Sequence, residues 1–374
     1  MTSPKVLIIG GGIGGLCLAQ GLRRAGVSAA VYERDTAPAS RAQGYRISLK
    51  DTGAKALHAC LPPHLFALAV ATSIRPATRM VFMDPQLRPK FAKPIPPIEP
   101  GLADLGVNRL TLREILLTGI EETVHFGKTF HRYEELADGR VRAHFADGSS
   151  ADGTLLVGAD GTHSPVRGQL VPDAVIEDLG WAVYGRTPLT DDLLAATPAE
   201  LIDTFNRVIA ADGTAISIAT CRTRGPNPRP LTDIPGYLSW TMSAAGPPPG
   251  GTSPHELHEL ATATVADWAP GIRRILAEAD VPATFLLTIT SALPVAPWQA
   301  PAVTLLGDAI HTMSPGRGDG ANIALRDARV LAGLLALETS PTTAKAEYER
   351  QMLHYGFAAV TASREQPFGP SRSR

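Results

Sequence analysis

The sequence predicts an α/β fold: one domain on a parallel central sheet, a smaller domain on a mostly antiparallel sheet, and a C-terminal helix. Three observations predict it. The largely apolar runs Lys5–Ile9, Leu155–Ala159 and Val303–Leu306 have the length and composition of strands buried on both faces, as a parallel sheet requires. From Glu177 to about Ile289 the pattern changes to separated strands of alternating character. A chain of 374 residues, too long for one ordinary domain, fits a large α/β domain with a smaller one.

The first run ends in Gly10-Gly11-Gly12-Ile13-Gly14-Gly15, a GxGxxG pattern between a strand and a helix. In that setting Gly10 allows the tight turn, Gly12 lets a diphosphate approach the backbone, and Gly15 lets the helix pack on the strand. Leu16, Leu18, Ala19 and Leu22 continue the helix, and Gly26 sits where a left-handed stop belongs. Val27–Tyr32 makes the second strand. At its tip Glu33 can accept hydrogen bonds from both hydroxyls of an adenosine ribose, while the helix N-terminus faces the diphosphate. Arg34 follows, then a loop to Gly44 with Arg41, a strand Tyr45–Leu49 with Arg46, and a short helix Asp51–Ala59. Arg41 and Arg46 either reach a phosphate or are solvated.

From Ile74 to Pro100 the chain is proline-rich, with Met80–Met83 as a strand and Pro94–Pro97 extended, an excursion into the second domain. Leu112, Ile115, Leu116 and Ile120 then form the stripe of an amphipathic helix. Arg109 stands at its start, where the dipole disfavours a structural cation, so an anionic partner is expected. Val141, Ala143 and Phe145 alternate with polar residues, and Asp147-Gly148 turns the strand back as a hairpin. A second Asp-Gly, Asp160-Gly161, differs from the ordinary turns because a buried strand precedes it and Ser164 and Arg167 follow.

In the alternating region Ala182, Tyr184 and Arg186 share one strand face, and Leu238, Trp240 and Met242 share another; one of these faces lines the ligand pocket. Arg46, Tyr184, Arg186, Trp240 and Met242 are the pocket candidates. Ser253-Pro254 starts a helix that ends near Ala269-Pro270. His255, His258 and Glu259 on it lack the spacing of a HExxH site, and a solvated face accounts for them without a metal. Neither a GxSxG elbow nor a P-loop lysine motif occurs, so hydrolase and nucleoside-triphosphatase chemistry has no support.

The last buried strand leads into Gly307-Asp308-Ala309-Ile310-His311, then Ser314-Pro315-Gly316-Arg317-Gly318-Asp319-Gly320-Ala321-Asn322 and a long helix with a broad apolar face. A carboxylate at a strand tip followed by a glycine-rich helix entry suits a polyol chain and an electron-rich ring. Together these segments resemble the flavoprotein aromatic monooxygenases typified by para-hydroxybenzoate hydroxylase and including the tetracycline-inactivating type. The match rests on GxGxxG at Gly10–Gly15, the DG motif at Asp160–Arg167, the GD motif at Gly307–Asn322 with Asp327-Ala328, and Asn108-Arg109 with Leu112-Arg113.

The resemblance implies a Rossmann-type FAD-binding domain and non-covalent FAD. Gly10, Gly12, Gly15, Glu33, Arg34 and Arg41 serve its adenosine and diphosphate half, Arg109 lies near the flavin, and Gly307 and Asp308 hold the ribityl chain. Pro315, Gly318, Gly320, Ala321 and Asn322 face the isoalloxazine. Asp160 and Arg167 serve both FAD and a transient NADPH or NADH. It also implies that dioxygen forms a flavin hydroperoxide that hydroxylates an aromatic or polycyclic substrate, with no side-chain acid or base assigned. Baeyer–Villiger oxygenation, epoxidation, or ligand sequestration without turnover are alternatives on the same scaffold. Asp319 stands where the family often has glutamine, and we expect it to cap the long helix.

The implied organisation interleaves the domains: FAD-binding segments at 1–73, 104–176 and 291–340, substrate-domain segments at 74–103 and 177–290, and a C-terminal helix and tail at 341–374. With 44% hydrophobic and 19% charged residues and a net charge of −1, composition gives no general attraction to nucleic acid or anionic lipid. Cys17, Cys60 and Cys221 suggest neither a disulfide framework nor a metal site. No leader or membrane-spanning run is evident, so a cytoplasmic protein is expected. Oligomeric state is not encoded in any motif.

Overall fold

Two hydrophobic cores organise the chain, described here in a computed structural model for residues 5–40, 45–95, 105–225, 228–229, 231–244, 246–338 and 340–365. The first surrounds a five-stranded sheet in the order Val303–Leu305, Leu155–Gly158, Lys5–Ile9, Ser28–Tyr32, Val124–His125, every pair parallel. Lys5–Ile9 is central, and Val6, Leu7 and Ile8 are fully buried because Gly15 of the following helix packs on Ile8 from one face and Gly153 of the strand Ser150–Gly153 packs on Leu7 from the other. The helices Ile13–Arg24 and Gly320–Leu337 lie close: a Cβ on Gly14 would stand 3.3 Å from the Ala324 Cβ. The Asp147-Gly148 hairpin forms as expected, joining Val141–Phe145 to Ser150–Gly153, with Gly148 at φ 83.

The second core lies on one face of a seven-stranded sheet, in the order Phe285–Ala292, Ile176–Pro188, Tyr237–Ser243, Ala215–Cys221, Thr204–Ile209, Arg79–Met83, Pro89–Pro94. All pairs are antiparallel except Thr204–Ile209 with Arg79–Met83, which is parallel. The strands Thr204–Ile209 and Pro89–Pro94 are additions to the sequence reading. Pro89–Pro94 sits at the sheet edge, where a proline's missing N–H breaks no ladder. The single helix expected from Ser253 is two, Pro254–Thr264 and Pro270–Ala277, because Pro270 opens a second helix rather than following the end of the first.

That core corrects part of the pocket expectation. Trp240 and Met242 pair in register with Gly185 and Val183 and pack against Leu257 and Ile272, fully buried and away from the other face. The Trp240 ring fills the space a side chain at Gly185 would take: a Cβ there would lie 2.0 Å from Cζ2. Period-two alternation then turns Tyr184 to the opposite face.

A two-stranded ribbon, Arg46–Leu49 with Leu105–Asn108, stands between the two sheets. Ile74 ties it to the larger sheet through bridges to Gly106 and Thr223. Among the described residues no helix is long and apolar enough to cross a membrane.

Candidate functional site

The glycine turn is built for close approach. Gly10 has φ 111, and a Cβ on it would lie 2.3 Å from the Ala159 carbonyl oxygen, so only glycine fits. A Cβ on Gly15 would lie 2.1 Å from the Gly10 carbonyl oxygen, which is the helix-on-strand contact that the spacing predicts. Gly12 differs: nothing stands within 4 Å of its Cβ position, and it caps the helix without a side chain. This open position adjoins the N-terminus of Ile13–Arg24, whose first N–H groups have no partner within the helix, an arrangement suited to an anion.

Glu33 is buried beside this turn. Its Oε2 accepts the Gly11 N–H at 2.6 Å and its Oε1 the Asp35 N–H at 2.9 Å. Arg113 locks the arrangement, its Nε donating to the Gly11 carbonyl at 3.0 Å and its Nη1 to Pro38 at 2.8 Å, with Asp35 3.2 Å and Glu33 3.4 Å from its guanidinium. Sequence reasoning gave Arg113 no role of its own. Its position four residues after Arg109, on the same helix face, was the available signal. Arg34 is exposed, and Arg41 lies outside the described residues.

The ends of the neighbouring strands bring up Asp160, whose Cα lies 2.9 Å from the Gly10 Cβ position, and the Asp308–Asn322 segment. Asp160 Oδ2 accepts the Val166 N–H at 3.3 Å, while Oδ1 is buried with no partner. Burial pushes this carboxyl up, against hydrogen bonds from Ser164 and Val166 and the charge of Arg167. Arg167 turns inward, donating to the Ala309 carbonyl at 2.9 Å and the Thr162 carbonyl at 2.8 Å. It ties the two motif loops together.

Asp308 opens onto solvent yet is walled by protein. That enclosure raises its carboxyl above the ordinary range, with His311 and Arg109 opposing the shift and Asp327 adding to it. Gly307, at φ 66, sets the turn, and its N–H donates to Asp327 Oδ2 at 2.8 Å. The same oxygen pairs with His311 Nε2 at 2.7 Å, and Oδ1 accepts the Tyr355 hydroxyl at 2.6 Å. His311 and Asp327 are fully buried, so this network holds the turn from behind. Pro315 and Gly318 are exposed, Gly318 at φ 66 with nothing within 4 Å of its Cβ position, and Gly320 lies against the Asp308 carboxylate.

Two expectations change here. Asn322, expected to face the ring, is buried, with Oδ1 accepting from the Lys50 N–H at 2.8 Å and Nδ2 donating to Ser48 at 2.9 Å and Gly318 at 2.8 Å. Its side chain is engaged by protein backbone on both its oxygen and its nitrogen. Asp319 occupies the cap position but makes no capping bond: its φ −86, ψ −24 is helical, whereas a cap needs extended backbone to aim its oxygen at the first turn. Its carboxylate instead takes Lys50 Nζ at 2.6 Å and Arg317 Nε at 3.0 Å.

On the sheet side, Arg109 donates to the Tyr45 hydroxyl and lies 5.2 Å from that ring's centre, with no ion pair among the described residues. Tyr45 meets Tyr184 at 5.7 Å and Tyr184 meets Phe285 at 4.9 Å, a continuous aromatic wall. Arg186, on the face of Tyr184, is paired with Asp280 at 2.7 Å. His255 pairs with Glu259 at 3.3 Å on an exposed helix face, and among the described residues no three metal-ligating side chains converge.

The open cradle at Gly12, the unpartnered Asp160 oxygen and the walled, accessible Asp308 fit a long ligand with an anionic middle and a polyol arm. A model described as an NAD(P)-binding Rossmann-like domain matches residues 8–75, and one described as an FAD binding domain matches residues 269–360. The chain is 33% identical to the dual O-methyltransferase/FAD-dependent monooxygenase elcB of Phaeosphaeria nodorum over 88% of its own length. It spans only 40% of that protein. It is 30% identical to the FAD-dependent urate hydroxylase of Klebsiella pneumoniae, over 93% of this chain and 85% of the relative. A crystal structure described as an FAD containing monooxygenase from Photorhabdus luminescens superposes with a TM-score of 0.84 at 32% identity, covering 96% of each chain. Turn, strand ends and relatives agree along nearly the whole length, and the chain belongs to the family of FAD-binding monooxygenases.

Proposed function

We propose that the protein is an FAD-dependent monooxygenase that hydroxylates a small aromatic or polycyclic molecule, using NADPH or NADH as a transient reductant and dioxygen as co-substrate. One observation carries the reading: Arg109, whose charge reaches the Asp308 carboxyl, Tyr45, Tyr184 and Phe285 follow one another into an aromatic wall. A ring held at the end of the polyol arm would lie against a planar substrate. Urate, named for the Klebsiella relative, is a small planar molecule of this kind.

In this reading the Gly12 backbone and the helix N-terminus hold the diphosphate, and Glu33, at the tip of the second strand, binds the adenosine ribose. Asp308 binds the ribityl chain, and Asp160 and Arg109 border the same groove. Backbone N–H groups from Gly318 to Ala321 favour negative charge developing on the ring. When bound, FAD supplies the oxidation of NAD(P)H and the activation of dioxygen. The protein's own tasks are to orient the substrate on the aromatic wall and exclude water. His311 moves no proton to substrate in this scheme, since Asp327 holds its Nε2.

The test is isotopic. The purified yellow protein, given labelled dioxygen, NADPH and an accepted substrate, should place one labelled oxygen atom in the product. Label entering only from water would refute monooxygenation.

A further inference from the structure

The helices Ile13–Arg24, Asp51–Cys60 and Gly320–Leu337 meet on small residues, far along each helix from its start. A Cβ on Gly21 would lie 2.8 Å from the Ala332 Cβ and 3.1 Å from Cys60 Sγ, so the missing side chain is what admits Cys60. Cys17 stands one turn before Gly21 on the same helix face. Its thiol is in hydrogen-bond contact with that of Cys60. Both thiols are free, and the proposed reaction uses neither.

The two are not equivalent. Cys17 is fully buried, and its hydrogen bond to Cys60, together with burial, holds its thiol protonated well above the ordinary range. Cys60 instead lines a cleft of about 250 Å³ between the three helices, whose walls include Arg24, Arg329, Gly21 and Ala332. The Arg24 guanidinium donates to the carbonyls of His58, at 3.3 Å, and Leu61, which flank Cys60 in sequence. Oxidation-sensitive cysteines sit in electropositive, reachable settings with a second thiol at hand. Cys60 has that setting, and Cys17 is the second thiol.

We propose that Cys60 and Cys17 form a peroxide-responsive pair, with Cys60 as the site oxidised by hydrogen peroxide and Cys17 as the thiol that closes a disulfide with it. The Cys60 sulfur attacks one peroxide oxygen; an S–O bond forms as the O–O bond breaks, and the second oxygen leaves as water with the thiol proton. Cys17 then attacks the sulfenic sulfur. An S–S bond forms as the S–O bond breaks, and the hydroxyl departs as a second water with the Cys17 proton. Two thiols lose two electrons in all, and one peroxide is reduced to two waters. The bridge ties the helix behind the glycine turn to Asp51–Cys60, whose preceding residue Lys50 donates its N–H to Asn322. The inference goes beyond the monooxygenase reading and does not depend on it, because the thiols and not the flavin are what the test reads.

The purified full chain, treated with hydrogen peroxide, quenched with catalase and alkylated in denaturant, should show one free thiol where the untreated protein shows all three. Its mass should fall by two hydrogens, a peptide should link Cys17 to Cys60, and dithiothreitol should restore every thiol. Cys221→Ser should bridge as the wild type does. Cys17→Ser should stop at the sulfenic acid, so that dimedone marks Cys60, and Cys60→Ser should leave Cys17 unmarked. Three free thiols after peroxide, a bridge to Cys221 or to a second chain, or dimedone on Cys17 in Cys60→Ser would overturn the proposal. Should Cys17→Ser fail to fold, the wild-type bridge and Cys60→Ser still decide it.

Discussion

At the nucleotide end Glu33 takes the N–H of Asp35, two residues away, and of Gly11 in the neighbouring turn; at the ring end Asp319 pairs with Lys50 across 269 positions of sequence. The first end is mostly one contiguous segment, a strand, turn, helix and second strand, with Arg113 reaching it from another helix. The second is assembled from segments that meet only when the fold closes: the ribbon turn at Ser48–Lys50, the loop Gly318–Asn322, and Asp327 and Tyr355 behind it. In the proposed function, local motifs therefore secure where the cofactor attaches, while distant contacts set the electrostatics around the proposed place of reaction.

The largest effect should come from crowding the turn. Gly15→Val should prevent folding or cost more than about 3 kcal/mol, since even a Cβ collides with the Gly10 carbonyl. Gly12→Ala is the contrast: its Cβ points into open space, so urea unfolding should stay close to wild type while FAD titration shows weakened binding. A stable Gly15→Val protein, or a Gly12→Ala protein that binds FAD normally, would break the account of this end.

Next is the buried network behind the ring end. Asp327→Ala should cost about 3–5 kcal/mol in urea unfolding, as expected when one partner of a buried pair is removed. It should also change the pH dependence. Burial opposes protonation of His311, but Asp327, through charge and hydrogen bond, and Asp308 outweigh it and raise the pKa above the ordinary 6.5. A raised histidine pKa stabilises fully below the unfolded value and loses its contribution as pH rises through the folded value. The stability gap between wild type and Asp327→Ala should therefore narrow as pH climbs above 6.5, and a gap independent of pH would mean His311 is neutral throughout.

A smaller loss is expected at the polyol arm: Asp308→Ala should weaken FAD by about 1–3 kcal/mol, measured by flavin titration, with little change in unfolding. Unchanged affinity would remove Asp308 from the site. The smallest stability effect belongs to Asp319→Asn, about 1 kcal/mol or less, because the pair with Lys50 is partly exposed. Its informative readout is the flavin midpoint potential. With the carboxylate gone, Lys50 and Arg317 keep their charge beside the proposed ring position, so the potential should become more positive. An unchanged potential would place that ion cluster away from the ring.

The sequence by itself determined the parallel sheet, the GxGxxG turn with Glu33, the hairpin at Asp147-Gly148, and the two strand ends carrying Asp160 and Asp308. These follow from apolar periodicity and from backbone conformations that glycine alone tolerates, and both are local properties. Only the tertiary structure decided that Tyr184 faces Tyr45 and Phe285 while Trp240 and Met242 fill the second core, since alternation defines two faces without saying which one helices cover. It also decided that Asp319 forms ion pairs rather than a cap and that the Asn322 amide turns inward, because Lys50 and Ser48 reach them only through the folded ribbon. Arg113 and Asp327 owe their roles to the same cause: each stabilises a turn distant in sequence, and such pairings form when burial makes every polar group find a partner.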